Sequence, residues 1–141
     1  MWFTREHFEV AREARMWGLA PRFEPGDVVA RGFADLGYEE FQVLPGPKLL
    51  SLTAASVTNL PPDDTKHFFW IPSVDESFSL VERLGADQLV CARVDGREWE
   101  VSCQVRGEKV LESARDLHLA ALKALLASYQ RCFRNQEESR V

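Results

Sequence analysis

The side chains of this chain best suited to catalysis or metal binding are three histidines, three cysteines and several adjacent acidic residues, and their spacing serves neither purpose. His7, His67 and His118 have no helical ligand spacing, no HExxH occurs, and no cysteine lies within ligand spacing of a histidine. Cys91, Cys103 and Cys132 are odd in number, lack CxxC spacing and occupy places where small hydrophobes are expected, so they read as buried or inert thiols. Asp63-Asp64 reads as a solvated linker, and Asp75-Glu76 as a helix start, where negative charge meets the positive end of the dipole. Asp27 and Asp35 would join them around a metal only if the two halves of the chain packed that way. Gly26, Gly32 and Gly37 match neither GxGxxG nor a Walker loop. The expectation is no catalytic residue, no cofactor, no metal site and no enzymatic activity.

The elements that would position any working surface centre on Gln88 to Val110. Asp95-Gly96 is the signature of a type I′ hairpin, which needs positive φ at both central residues. A two-residue loop sets Val94 opposite Arg97, Arg93 opposite Glu98, Ala92 opposite Trp99, Cys91 opposite Glu100 and Val90 opposite Val101. Val90, Ala92, Val94, Trp99 and Val101 then face inward, and Arg93, Glu98, Glu100 and Ser102 face water. In this register Cys91 and Cys103 lie on opposite faces, so no disulfide is expected between them. The turn at Arg106-Gly107-Glu108 leaves two alternatives. A two-residue loop puts Val110 inside and Leu111 outside, and a three-residue loop with a bulge reverses them.

Upstream, Thr4 to Trp17 reads as an amphipathic helix with Thr4 as cap and Gly18 as stop. Its stripe is Phe3, Val10, Ala14 and Trp17, edged by Phe8 and Ala11. Pro25-Gly26-Asp27 launches Val28-Val29 as a strand, and Glu40 to Leu44 and Leu49 to Ala54 follow, a small SH3-like β-meander. Thr58 to Asp64, rich in proline and aspartate, reads as the boundary between two modules, residues 1–60 and 66–141.

In the second module His67 to Ile71 is a buried strand or an anchoring loop stopped by Pro72. Ser73 and Glu76 form a capping box for a short helix carrying Val74, Phe78 and Val81. After the meander, Ser113 and Asp116 fit a looser box before a long helix from Ala114 to about Arg134, apolar on more than one side. The tail Asn135 to Val141 is polar and reads as frayed. Trp2, Trp17, Trp70 and Trp99 are the large anchors. The fold class is α+β: an α-β-β-β-α unit with an antiparallel meander packed by helices, preceded by a helix and the SH3-like meander.

With 141 residues, 45% hydrophobic and 28% charged, the chain is long enough for a packed core. A net charge of −5 and a pI near 5.2 argue against a protein that holds nucleic acid by a general basic field. No apolar run approaches the roughly 20 residues that span a bilayer. Arg5, Glu6 and Glu9 interrupt any signal-peptide core, so a cytoplasmic protein without membrane attachment is expected.

The segments "FFWIPSVDESFSLVERLG", "DGREWEVSCQVRGEKVLES" and "ARDLHLAALKALLASY" resemble the phage ABA sandwich type of domain found in small bacteriophage and prophage proteins. The resemblance covers about half the chain and implies a phage or prophage accessory protein of no settled activity. Double-stranded-RNA-binding domains share the helix-meander-helix order, but their last helix begins with a lysine cluster, where this chain has Ser113-Ala114-Arg115-Asp116. HicB-type antitoxins share the Asp95-Gly96, Trp99, Val101 pattern. The function expected is therefore binding of another protein or self-association. Nucleic-acid binding through Arg93, Arg97, Arg106, Lys109 and Arg115 is the alternative. The apolar side of the last helix and the aromatic run before Pro72 are the expected working surfaces.

Overall fold

The computed structural model describes residues 3–32, 37–60 and 65–138. The chain divides into two units, Met1–Pro72 and Ser73–Val141. The first opens with α1 (Arg5–Trp17), capped by Thr4 as its sequence predicts. Thr4 Oγ1 accepts the His7 N–H at 3.5 Å, and His7 Nδ1 accepts the Thr4 N–H at 3.0 Å, so a histidine closes the capping box in place of the usual Glu or Gln. Gly18 stops the helix at φ 132, a conformation closed to residues with a Cβ, and returns its N–H to Arg15. The buried face is His7, Phe8, Ala11 and Ala14. The stripe is thus rotated from the expected one: Phe8 and Ala11 lie at its centre, with Val10 and Trp17 at its half-buried margins.

Five antiparallel strands follow among the described residues: β1 (Val28–Gly32), β2 (Tyr38–Leu44), β3 (Lys48–Ser51), β4 (Val57–Asn59) and β5 (Phe68–Ile71). Their order is β4-β3-β2-β1-β5, a four-strand meander whose fifth strand returns beside the first after a 3₁₀ turn at Thr65–His67. That is the order of an SH3-like barrel. β3 stops at Ser51 rather than Ala54, because Ser51 Oγ accepts the Ala54 N–H at 3.1 Å and the chain turns through Ala55 at φ 55. Val57–Asn59 is a strand, and its Thr58 and Asn59 open the stretch that reads as a linker. Pro61 to Asp64 lie outside the described residues.

β5 is the larger correction. It pairs with β1 from Val28↔Ile71 to Arg31↔Phe68, so it belongs to the first sheet and the units meet at Pro72 and Ser73 rather than between 60 and 66. All four β5 residues are buried, which requires cover on both faces. On one face Phe68 meets Phe41 and Phe23 edge-on, with ring centroids 5.6 and 5.8 Å apart. On the other, Phe69 meets Tyr38, which stacks on Phe8 of α1 at 5.1 Å.

At the entrance to β1 the Asp27 carboxylate, 6% exposed, accepts two hydrogen bonds from Arg22 at 2.9 and 2.7 Å and one from the Glu24 N–H at 2.9 Å. The same guanidinium lies 4.2 Å from the centre of the Trp70 ring.

The second unit runs α2 (Val74–Arg83), β6 (Asp87–Val94), β7 (Glu98–Val105), β8 (Glu108–Ala114) and α3 (Leu117–Glu138). The α2 capping box is present: Ser73 Oγ accepts the Glu76 N–H at 3.2 Å and Glu76 accepts the Ser73 N–H at 3.0 Å. The sheet order is β6-β7-β8, and α3 packs on β7, β8 and α2. β8 continues through Ala114, so α3 starts at Leu117, where Asp116 Oδ1 accepts the His118 N–H at 3.2 Å. It extends past Arg134 into the stretch read as a frayed tail. Residues 139–141 lie outside the described residues. Leu119, Ala120, Ala121, Leu122, Ala124 and Leu125 are all buried, which accounts for a helix apolar on more than one side.

The β6–β7 register departs from expectation by one residue. Asp95 and Gly96 do take the positive φ of a type I′ turn, 56 and 70, but Arg97 is an extra residue before the strand resumes. Val94 therefore pairs with Glu98, Arg93 with Trp99, Ala92 with Glu100, Cys91 with Val101 and Val90 with Ser102. Trp99 and Val101 keep their inward direction, while Val90, Ala92 and Val94 move to the outer face. Arg93 leaves Glu98 and lies 5.7 Å from the Trp99 ring centre, donating to the Gly96 carbonyl at 3.0 Å. The ring contact favours the shifted register, because it needs Arg93 and Trp99 on one face. At the next turn Val105 pairs with Glu108 across Arg106-Gly107, the two-residue alternative. Val110 is buried and Leu111 points outward.

Candidate functional site

His7 is spent on the α1 cap, His67 is exposed in the 3₁₀ turn of the first unit, and His118 lies at the start of α3 in the second. Among the described residues, no three of His, Cys, Asp and Glu come together as metal ligands. Asp27 is committed to Arg22 and Glu24, and Asp75 and Glu76 occupy the first turn of α2. Asp35, Asp63, Asp64 and Trp2 lie outside the described residues.

Cys103 and Cys132 are buried, and burial pushes the Cys103 thiol up from its ordinary range. Cys91 is exposed. In the shifted register it also shares a face with Cys103; all three thiols are free. Burial raises the Tyr129 phenol and the Glu40 carboxyl as well. Glu40 is 6% exposed, and its Oε1 has no hydrogen-bond partner among the described residues.

The five cations proposed for nucleic acid fall into two groups. Arg97 and Arg115 lie at the end of the sheet that holds the β6–β7 turn, with Arg93 near them on the helix-facing side. Arg106 and Lys109 lie at the other end, separated by the length of β7, roughly 25 Å for a strand of that size. The two expected working surfaces are also accounted for. Phe68 to Ile71 form the core of the first unit, and α3 buries its apolar sides against β7, β8 and α2.

What remains is the outer face of β6-β7-β8, opposite the helices. One row crosses all three strands as Val90, Ser102 and Leu111, and the next as Ala92, Glu100 and Ser113. Val90 is 54% exposed, Leu111 49% and Val94 36%. Glu98, Glu100 and Lys109 supply charge among them. Sequence reasoning placed Val90, Ala92 and Val94 in the core because an apolar alternation normally marks the inner face. No signal in the sequence reveals Arg97 as an additional residue. The resulting conflict, an apolar stripe turned to water, is the kind of local violation that collects at functional surfaces.

No helix among the described residues is long and apolar enough to cross a membrane. Comparison with protein-family models, with curated proteins and with solved structures found no match.

Proposed function

We infer that this chain is a non-catalytic binding protein that docks another protein on the outer face of the β6-β7-β8 sheet. The observation that supports it is the set of exposed apolar side chains, Val90 and Val94 on β6 and Leu111 on β8, on a sheet face that carries no helix of its own unit. The commitment of His7 to the α1 cap and of Asp27 to Arg22 weighs on the same side. A phage or prophage accessory role in the cytoplasm rests on the three sequence segments quoted above.

Lys109 gives the test, because it lies on the outer face two residues from Leu111. Amine crosslinking in a lysate of the protein's own cells, read by mass spectrometry, should join Lys109 to a specific partner, and Leu111→Glu should abolish that link. Links that survive the substitution, or that form only elsewhere, would refute the assignment. The nucleic-acid reading draws on the α-β-β-β-α order it shares with double-stranded-RNA-binding domains. Salt-sensitive binding of duplex RNA, weakened by substitution of Arg97 and Arg115, would displace the protein reading.

A further inference from the structure

We propose that the free edge of β6 pairs with β6 of a second copy of this chain, antiparallel about a two-fold axis at Ala92. The proposal rests on the protein-binding reading and names the occupant of one margin of that surface. β6 hydrogen-bonds only to β7, and every residue from Val90 to Val94 is exposed. Edge strands are ordinarily protected by proline, bulges, inward charges or covering elements. Here the bulge between Asp87 and Val90, with Gln88 at φ 54, disturbs only the beginning of the strand. Val90 to Val94 stays regular and contains no proline, and Arg93, on the helix-facing side, is its single inward charge.

The residues of that segment complement themselves. An axis at Ala92 sets Val90 opposite Val94 twice, Ala92 opposite Ala92, and Arg93, the one charged residue of the segment, opposite Cys91. Beyond the regular part, Asp87 of each copy approaches the turn of the other that carries Arg97. The neighbouring axes fit less well. Centred on Cys91, the pairing sets Val94 against Gln88 and brings Asp87 toward Asp95, a like-charge contact. Centred on Val90, it runs Ala92 into the bulge at Gln88. The Ala92 axis gives a six-stranded sheet across two copies, with α2 and α3 of both on one side and Val90, Ala92 and Val94 of the two β6 strands side by side on the other.

Sedimentation velocity under reducing conditions at about 100 μM should give twice the 16.1 kDa monomer mass. Replacing Val90 and Val94 together by lysine puts lysine opposite lysine twice and should raise the dissociation constant by roughly tenfold or more. Circular dichroism should remain unchanged, since both valines are exposed. In a Cys91→Ser, Ala92→Cys variant, mild oxidation should yield a covalent dimer, because directly opposed residues stand about 4.5 to 5.5 Å apart. The native Cys91, offset from its symmetry mate, should not crosslink. A monomer at that concentration would overturn the proposal, as would a dimer indifferent to the lysine pair or one crosslinked through Cys91 but not through Ala92→Cys. Leu111→Glu lies outside the pairing and should leave the dimer intact, so loss of the partner crosslink and loss of the dimer report separately.

Discussion

Replacing Asp27 by alanine removes the carboxylate that holds the chain's entry into β1. Three bonds go at once: two charge-assisted contacts from Arg22 at 2.9 and 2.7 Å, and the acceptor of the Glu24 N–H. A fully buried ion pair broken on one side costs about 3 to 5 kcal/mol, and an exposed pair about 0 to 1 kcal/mol. Asp27 belongs to the first kind, but the Arg22 side chain is 36% exposed and lies 3.6 Å from Glu24 Oε2, so the stranded cation can rehydrate and keep a partner. The expected loss is about 2 kcal/mol for the first unit, a fall in its melting temperature of about 10 °C. Asp27→Asn keeps an acceptor for Glu24 and should lose about half as much. Denaturant unfolding followed by tryptophan emission suits the case, because Trp70 lies under the guanidinium and Trp99 reports the other unit. A double-mutant cycle with Arg22→Ala should give a coupling of at least about 1 kcal/mol. A loss below about 0.5 kcal/mol, or a coupling near zero, would refute the reasoning.

Glu40→Gln should stabilise the first unit at neutral pH, because burial raises the folded-state carboxyl above its unfolded value and ionisation then costs stability. The advantage should be absent in acid, where both states are protonated, and grow as pH rises from the ordinary carboxylate value through the folded one. A difference constant with pH, measured by denaturant titration, would contradict it. Leu125→Ala, at a fully buried position of α3, should cost the second unit about 3 kcal/mol by calorimetry, and a loss under about 1 kcal/mol would argue against the core as described. A thiol reagent applied to the native protein should label Cys91 rapidly and Cys103 and Cys132 only on unfolding. Equal rates for all three thiols would overturn that order. Ser73→Ala should destabilise α2 by about 1 kcal/mol through loss of its capping box, read from far-ultraviolet circular dichroism on melting.

The features that the sequence made legible are those set within a few residues. The caps at Thr4 and Ser73, the stop at Gly18, the positive-φ turn at Asp95-Gly96 and the apolar excess of the last helix follow from local chemistry. The features it hid depend on partners far along the chain. Phe68 to Ile71 reads alike as the start of the second module or the close of the first, because a fully buried strand carries no alternation to show which sheet it joins. The outer face of β6 was hidden for another reason. Its register turns on Arg97, and the placement of Arg93 over Trp99 is a cross-strand contact that no count of turn residues supplies. Alternation alone thus points Val90, Ala92 and Val94 into the core, whereas the observed pairing turns them to the outer face.

The pairing of β5 with β1 also has a bearing on how the chain can be divided and made. A fragment ending at residue 60 would hold the four-strand meander but leave β1 without its outer neighbour. A fragment beginning at residue 66 would carry Phe68, Phe69, Trp70 and Ile71 as an unpaired apolar lead, a poor prospect for solubility. A cut between Pro72 and Ser73 keeps both sheets and α2 whole. During synthesis, β1 emerges long before the strand that completes it, and the contact between them is the most distant strand pairing in the first sheet. The SH3-like unit is therefore completed by its own last strand, and a chain halted before Phe68 leaves β1 unpaired on the side that β5 takes.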